Sequence, residues 1–298
     1  MQQRVSRFRI HCTSLGLRWE GFPGHFLHGG IGMMLHRTAP PLFDLLYGTG
    51  ESGQRPRRWW LQPPLDGRDV LSPGDAFHFD IFFFDMEPEW LRGAFDAITL
   101  AGWVGLGKSR GRFRPERVEW IGPEGPSEVR DDLVAPEMGI TLEALLAACR
   151  PPGPVDHLTV HLLTPLQIRQ DGRYLESPPS AELLLDRLLA RVSQLTSIGK
   201  PAIPESAPAL EASRAALLRR HRIRCAAGWR YSARQEREMP FGGLLGSLEY
   251  AGELTPAYPW FALAQWLQIG AKTTFGLGTV RIEPFRHVAE WSKQNETP

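Results

Sequence analysis

The sequence predicts an α+β protein made of two tandem ferredoxin-like domains, each with the order βαββαβ. Three observations support this fold class. Short segments alternate apolar and polar residues, which is typical of half-buried strands. Amphipathic segments with helical spacing separate these strands. The same order of segments then occurs a second time, after a stretch rich in glycine and proline.

The first half of the chain supplies one complete set of segments. Phe8, Ile10 and Cys12 alternate with polar side chains, and this period of two predicts the first strand. The other segments are, in order, a helix over residues 27–37, a helical turn over 42–47, a strand over 75–84, a helix over 89–100 and a strand over 112–121. Together they predict an N-terminal ferredoxin-like domain at residues 1–122.

The second half repeats this order after a boundary. Residues 123–155 contain Gly-Pro pairs and a Pro-Pro-Gly-Pro run, and we interpret them as a linker. The segments that follow are strands around residues 158–163, 229–234 and 279–283, and helices over residues 181–195, 210–225 and 260–268. They predict a C-terminal ferredoxin-like domain at residues 156–298, with a glycine-rich loop before its last strand.

The composition excludes several classes of protein. The 298 residues carry a net charge of +1, so a chain-wide basic field of the histone kind is excluded. The three cysteines, Cys12, Cys149 and Cys225, lie far apart and lack the spacing of a zinc site, which favours a reducing compartment. No run of 18 apolar residues suggests a membrane span or signal peptide. We therefore expect a cytoplasmic protein without a metal or other cofactor.

Residues 102–109 match the spacing of a phosphate loop, with Gly102, Gly107, Lys108 and Ser109 in the required positions. A phosphate loop needs a strand before it and a helix after it, so that the amides at the helix N-terminus meet the phosphates. Here a helix precedes the loop and a strand follows it. We therefore expect no bound nucleotide, and a nucleotide hydrolase remains an unrelated alternative that would require binding at Lys108.

A second glycine-rich loop, residues 270–278, combines three glycines with Lys272, Thr273 and Thr274. Glycine exposes backbone amides, and together with lysine and threonine donors such amides can contact phosphates. The alternative is a tight connection in which the glycines only allow a helix and a strand to pack.

The residues around this loop carry a family resemblance. Residues 241–250 read Phe-Gly-Gly-Leu-Leu-Gly-Ser-Leu-Glu-Tyr, and a helix and the loop of residues 270–278 follow. This arrangement resembles the C-terminal signature of the CRISPR repeat-processing endoribonucleases of the RAMP superfamily. The resemblance extends back over residues 163–166 and 172–174, and is weaker over residues 28–32. It implies two ferredoxin-like (RRM-like) domains and CRISPR repeat RNA, or the mature crRNA, as the partner.

The resemblance also implies a reaction. Such enzymes cut RNA without a metal: a ribose 2′-OH attacks the adjacent phosphodiester and leaves a 2′,3′-cyclic phosphate and a 5′-OH. This chemistry needs a base, an acid and cations around the phosphorane. The family commonly places its catalytic residue in or just after the first helix, where His36, Tyr47 and His28 are the candidates, and Arg37 is a candidate phosphate partner. For each histidine, a surface or capping role is the alternative.

Two basic segments are candidates for RNA contact. Residues 210–238 hold eight arginines against three glutamates, although a solvated helix face explains the same pattern. Arg57 and Arg58 precede Trp59 and Trp60, which could stack on unpaired bases or pack in the core. The predicted RNA contacts are Arg37, Arg57, Arg58, Arg219, Arg220, Arg222, Gly270, Lys272, Thr273, Thr274, Gly276 and Gly278.

The sequence departs from the family pattern at the loop. Gln268 stands where many members carry a histidine, and Ala271 precedes Lys272. A catalytic role at position 268 is therefore not expected. The main rival interpretation is a non-catalytic member of the superfamily that holds guide RNA inside a complex with other CRISPR effector subunits. An enzyme would need one histidine or tyrosine near the cut, whereas a binding subunit would tolerate the loss of each.

Overall fold

A computed structural model describes residues 3–48, 57–129, 138–170, 172–196, 206–226, 229–232 and 237–285, and gives only the backbone for 229–232 and 237–240. The described residues form two main antiparallel sheets with helices packed against them. Within these ranges, no helix is both long enough and apolar enough to cross a membrane.

The N-terminal half is built around a six-stranded sheet with the order β3-β5-β1-β6-β7, in which β8 also pairs with β1. Its elements are β1 (Arg4–Ser14), β2 (Leu17–Arg18), α1 (Pro23–Thr38), α2 (Pro40–Tyr47), β3 (Trp59–Gln62), β4 (Val70–Leu71), β5 (Ala76–Phe84), α3 (Pro88–Val104), β6 (Phe113–Gly122), β7 (Gly125–Val129) and β8 (Ile140–Thr141).

The strand order β3-β5-β1-β6, with α1 and α3 as the two crossovers, is that of a ferredoxin-like βαββαβ unit. The predicted alternation in β1 is confirmed, because Phe8, Ile10 and Cys12 are buried in the cluster that includes α1 and α3. Helix α3 begins with proline in its first turn, which suits a position whose amide has no partner within the helix.

Residues 123–155, interpreted as a linker, contain regular structure. Strand β7 extends the N-terminal sheet, and β8 pairs with the start of β1. Helix α4 (Leu142–Ala148) follows, and the side chain of Thr141 caps it by accepting a hydrogen bond from the amide of Ala144. This segment therefore adds two strands to the first sheet and a helix beside the second half.

The C-terminal half is built around a four-stranded sheet with the order β12-β15-β9-β16. Its elements are β9 (His157–Leu166), β10 (Arg169–Gln170), β11 (Arg173–Tyr174), α5 (Ala181–Thr196), α6 (Ala207–Ala215), β12 (Leu217–Ala226), β13 (Trp229–Ser232), β14 (Arg237–Pro240), β15 (Gly243–Ala251), α7 (Tyr258–Leu267), a single 3-10 turn (Thr273–Phe275) and β16 (Val280–Phe285). This strand order matches that of the first half, which confirms the predicted tandem ferredoxin-like architecture.

The predicted helix over residues 210–225 is wrong. Helix α6 ends at Ala215, Ala216 has extended backbone angles, and strand β12 begins at Leu217. Leucine and arginine are good helix formers, so local propensity favoured a longer helix. Pairing with β15 along the whole of β12 overrides that propensity, and the alternation of Arg220, Arg222 and Arg224 along the strand was the signal for it.

The two halves share a core. One face of the N-terminal sheet contributes Val5, Trp60, Phe82 and Phe84 to the apolar cluster around α5 and α7, and these helices also cover the C-terminal sheet. The indole Nε1 of Trp60 donates a hydrogen bond to the backbone oxygen of Trp266 at 2.8 Å. The helices of the second half therefore lie between the two main sheets.

Candidate nucleic-acid interface

The start of helix α1 contacts the glycine-rich loop of the other domain. The ring of His28 stacks on Phe275, with 3.9 Å between ring centroids and 26° between planes. A Cβ atom at Gly24 would lie 1.9 Å from the backbone oxygen of Phe275, so only glycine allows this approach. The first helix and the glycine-rich loop, which are far apart in the sequence, thus form one site.

The loop glycines hold the loop in shape. The amide of Gly276 donates to the oxygen of Thr273, and that of Gly278 donates to Pro165. The hydroxyl of Thr164 donates to the oxygen of Gly276 and accepts from the amide of Thr279. Since these two glycine amides already donate within the protein, the tight-connection alternative describes their role.

Three loop side chains differ in exposure. Thr273 is buried, whereas Thr274 and Lys272 are half-buried and reach the surface. Lys272 has a left-handed backbone conformation, and its ammonium lies 5.4 Å from the centre of the Phe241 ring and 5.7 Å from that of Tyr174. Of the predicted loop contacts, Lys272 and Thr274 are therefore the better placed for a ligand. Gly270, also half-buried, packs against the backbone of Gln167.

His28 is a packed histidine. Its side chain is buried, stacks on Trp59 and has Nε2 at 3.0 Å from Nη1 of Arg57. A guanidinium has donors but no acceptor, so Nε2 must carry the lone pair, and the ring is the neutral tautomer with its proton on Nδ1. Arg57 is thereby engaged with His28, while Arg58 is exposed.

Tyr47 lies beside His28, and its hydroxyl has a structural role. Its hydroxyl donates a hydrogen bond to the backbone oxygen of His28 at 2.7 Å. Burial raises the pKa of Tyr47 well above its ordinary value, although the charge of Arg57 opposes the rise. The hydroxyl therefore stays protonated at neutral pH and donates to the backbone.

His36 and Arg37 are exposed in the last turn of α1. The ring of His36 contacts the edge of Phe43, with centroids 4.9 Å apart. His36 lies eight residues beyond His28, which is about 12 Å along a helix. The structure therefore brings His28 and the half-buried Tyr47 together and leaves His36, with Arg37 next to it, at the surface.

The proposed stacking of unpaired bases on Trp59 and Trp60 is not possible. Both indoles are fully buried, and Nε1 of Trp59 donates to the oxygen of Leu46 at 3.0 Å. The core-packing alternative is correct for both residues. Sequence could not decide this, because a basic-aromatic segment looks the same at a surface and at the start of a central strand.

The basic segment lies on an edge strand. Arg219, Arg220, Arg222 and Arg224 in β12 are exposed, and among the described strands β12 pairs only with β15. Alternate residues of a strand point to the same face about 7 Å apart. Arg220, Arg222 and Arg224 therefore form a row of cations on the face away from the helices, and one carboxylate, that of Glu249, lies 3.9 Å from Arg220.

The N-terminal sheet has a buried acid that was not among the residues predicted from the sequence. Asp80 is fully buried and accepts hydrogen bonds from Arg7 at 2.6 Å and from Arg9 at 2.8 Å. Burial raises the pKa of Asp80, but the hydrogen bonds and charges of Arg9 and Arg7 outweigh it, and the pKa lies below its ordinary value. A lone aspartate within an apolar strand was the signal for such a pair.

The phosphate-loop spacing around Lys108 lies in an exposed turn between α3 and β6, so a helix precedes it and a strand follows it. Among the described residues, no group of three or more His, Cys, Asp and Glu side chains is close enough to hold a metal ion.

Comparison with protein families agrees with this architecture. Residues 160–280 match the model of the CRISPR-associated endoribonuclease Cas6, a range that includes β12 and the glycine-rich loop. Residues 48–139 match a model described as an N-terminal domain. No curated protein matches the sequence.

Solved structures share the fold over nearly the whole chain. The Thermus thermophilus Cas6 TTHB231 is 19% identical, with a TM-score of 0.59, and the match covers 95% of this chain and 100% of that one. A product complex of the Cas6 protein TTHA0078 is 18% identical, with a TM-score of 0.53, covering 94% and 99%. A partial Cas6-RT-Cas1–Cas2 complex is 12% identical, with a TM-score of 0.62, covering 97% of this chain and 47% of that one. The match of residues 160–280 to the Cas6 family model and the fold shared with Cas6 structures agree with the resemblance found in the sequence.

Proposed function

We propose that this protein is an endoribonuclease that binds CRISPR repeat RNA and cuts it to release crRNA. The observation that carries the proposal is the match of residues 160–280 to the Cas6 endoribonuclease family. Product complexes of two Cas6 proteins with the same fold support it. The Cas6-RT-Cas1–Cas2 complex supports association with other CRISPR proteins.

The RNA contacts that we propose lie mainly on β12 and the loop. Arg219, Arg220 and Arg222 are exposed on an edge strand, where they can contact the backbone of an RNA stem, which proteins recognise by shape and phosphates. Lys272 and Thr274 offer donors at the glycine-rich loop. Arg58 and Arg37 extend the basic surface onto the N-terminal domain.

His36 is the residue that we propose for proton transfer. It is exposed on α1, whereas His28 is buried and Tyr47 is half-buried with its hydroxyl hydrogen-bonded. In the proposed step the 2′-OH loses its proton to a base, the 2′-oxygen bonds to phosphorus, and the bond to the 5′-oxygen breaks as that oxygen takes a proton. Imidazole suits this role because its pKa lies near neutrality. Arg37 would stabilise the charge of the phosphorane, and no metal enters the step.

A second candidate function is a non-catalytic subunit that holds crRNA. The observation that favours it is that His28 is buried and Tyr47 half-buried with its hydroxyl hydrogen-bonded, which leaves His36 as the one exposed candidate of the three. In that case RNA binding would persist without cleavage.

The test is a single-turnover cleavage assay in EDTA, with a transcript of the repeat from the organism's own CRISPR array. We expect one cut, with a 2′,3′-cyclic phosphate at the new end. The variant His36→Ala should cut about 10²- to 10⁴-fold more slowly with nearly unchanged affinity, because general acid–base catalysis acts in the transition state. His157→Ala, a half-buried histidine of the other domain, is the matched control.

Three outcomes discriminate between the functions. If His36→Ala cleaves the RNA at the wild-type rate, another group carries out the proton transfer. Tight RNA binding without any cleavage by the wild-type protein supports the crRNA-holding subunit. Cleavage that stops in EDTA and returns with magnesium contradicts the metal-independent mechanism.

A further inference from the structure

A basic hairpin lies beside the glycine-rich loop. Strands β10 and β11 pair Arg169 with Tyr174. A cleft of about 470 Å³ opens at this hairpin and is lined by Gln170, Arg173, Tyr174, Leu175 and Glu176. We call it the Tyr174 cleft.

Tyr174 presents an aromatic ring to solvent between two cations. Its exposed fraction is 37%, which is high for a large aromatic side chain. The ammonium of Lys272 lies 5.7 Å from the centre of the ring, and the guanidinium of Arg169 lies 5.8 Å from it. An exposed aromatic ring beside cations is the combination with which proteins bind single-stranded nucleic acid.

Helix α5 adds cations behind the hairpin. Arg187 donates from Nη2 to the backbone oxygen of Arg169 at 3.4 Å, while its buried Nε has no hydrogen-bond partner among the described residues. The carboxylate of Asp186 is 3.9 Å from Nη1, too far for a hydrogen bond.

Arg191, one helical turn further along α5, also has a buried guanidinium nitrogen without a hydrogen-bond partner among the described residues. Its Nε donates to the backbone oxygen of Leu267, its guanidinium lies 4.7 Å from the Trp60 ring, and its buried Nη2 has no partner in the described part of the chain. Burial lowers the pKa of Arg191 to about 10. Arg191 therefore packs against the N-terminal sheet behind the hairpin and does not line the cleft.

The described side chains at the hairpin are mostly basic. Arg169, Arg173, Arg187 and Lys272 supply four cations and Glu176 and Asp186 two carboxylates, while Asp171, between the two strands, lies outside the described residues. The sulfur of Cys225, at the end of β12, donates to the backbone oxygen of Glu176 at 3.7 Å. The cleft therefore adjoins the arginine-bearing strand β12, so RNA bound along that strand would reach it.

We propose that the Tyr174 cleft binds one unpaired nucleotide of the RNA, with its base stacked on Tyr174 and its phosphates held by Arg173, Arg169 and Lys272. This inference rests on the proposed function, because it takes RNA as the ligand. The cleft would then set the position of the single-stranded part of the repeat relative to α1 and the glycine-rich loop.

The test measures binding of a fluorescein-labelled 12-nucleotide oligoadenylate RNA by anisotropy. Tyr174→Ala should weaken binding about 5- to 150-fold, since alanine substitution of a stacked base contact has that effect. Tyr174→Phe keeps the ring and should bind like the wild type. Arg173→Gln should lower the slope of log affinity against log salt by about 0.7, the value for one lost contact to a single strand.

The controls separate this inference from the proposed function. Trp103→Ala removes an aromatic side chain that is 51% exposed on the other domain, and it should bind normally. If Tyr174→Ala and Arg173→Gln both bind oligoadenylate like the wild type while repeat RNA is still cut, the cleft is not the site and the function stands. If both variants lose affinity but the wild-type protein never cuts, the cleft stands and the cleavage proposal fails. If Tyr174→Ala and Arg173→Gln lose affinity for AMP but bind RNA like the wild type, the ligand of the cleft is a free nucleotide and the proposal is overturned.

Discussion

The ring of His28 in the first helix stacks on the ring of Phe275 in the glycine-rich loop, 247 residues further along the chain, and this contact joins the two domains at the candidate site. It places the N-terminal helix that bears His36 in a fixed relation to the loop that bears Lys272.

Phe275 should be a strong determinant of stability. It is buried and also packs on Phe241, with ring centroids 5.5 Å apart. We expect Phe275→Ala to lower the free energy of unfolding by about 3–5 kcal/mol, and Phe275→Leu to cost much less because it conserves most of the volume. Urea denaturation followed by tryptophan fluorescence measures both. Equal stability of Phe275→Ala and wild type would show that the contact between domains is dispensable.

Gln268 should be a structural link between the domains. Its side-chain amide donates to the backbone oxygen of Leu61 and to the hydroxyl of Thr279, and its backbone has a φ of 62°. Gln268→Ala leaves the buried oxygen of Leu61 without its donor, and we expect a loss of about 1–3 kcal/mol in thermal or chemical denaturation. Cleavage by this variant, measured below its unfolding temperature, should persist, because no step of the proposed reaction uses Gln268. Abolished cleavage in a folded variant would contradict this assignment.

Asp80 should make stability depend on pH in acid. The folded protein holds the pKa of Asp80 below 3.8, its ordinary value, so its ionised form stabilises the fold above that pH. This contribution is lost as the pH falls from about 3.8 through the lower folded pKa, where the unfolded state binds the proton first. We expect Asp80→Asn to cost about 3–5 kcal/mol at pH 7, because it leaves Arg7 and Arg9 without their shared carboxylate. Its stability should also vary less with pH in acid than that of the wild type. An identical acid profile for the two proteins would show that Asp80 does not titrate in this way.

The arginines of β12 should control the salt dependence of RNA binding. Replacing Arg219 and Arg220 together by alanine should lower affinity for repeat RNA and reduce the log–log salt slope by about 1.4 to 1.8, which is 0.7 to 0.9 for each phosphate contact. The cleavage rate at saturating protein should change little, because these residues lie outside the proposed chemistry. The control is the double replacement of Arg92 and Arg150, two exposed arginines on α3 and after α4. If both double variants bind alike at every salt concentration, the edge strand is not the RNA surface.

The local sequence pattern was sufficient to predict most helices and strands. It failed where pairing with a distant strand decides the secondary structure. The alternation of Phe8, Ile10 and Cys12 identified β1, because a strand with one buried face must alternate. Residues 217–226 have the same alternation, but their leucine and arginine content also suits a helix, and only the neighbouring strand β15 decides between the two. In the same way, the sequence placed Trp59 and Trp60 beside arginines, and only the sheet showed that both indoles are buried.

The sequence by itself determined the fold class, the repeat of two ferredoxin-like units and the family resemblance, since periodicity, turn residues and short motifs are local properties of a chain. Only the tertiary structure decided which side chains meet. It buries His28 against a loop of the other domain with Tyr47 beside it, leaves His36 exposed, turns the basic segment into an edge strand and places Tyr174 near two cations. The physical reason is that burial, protonation state and charge pairing depend on neighbours distant in sequence, and those neighbours are set by the packing of whole sheets and helices.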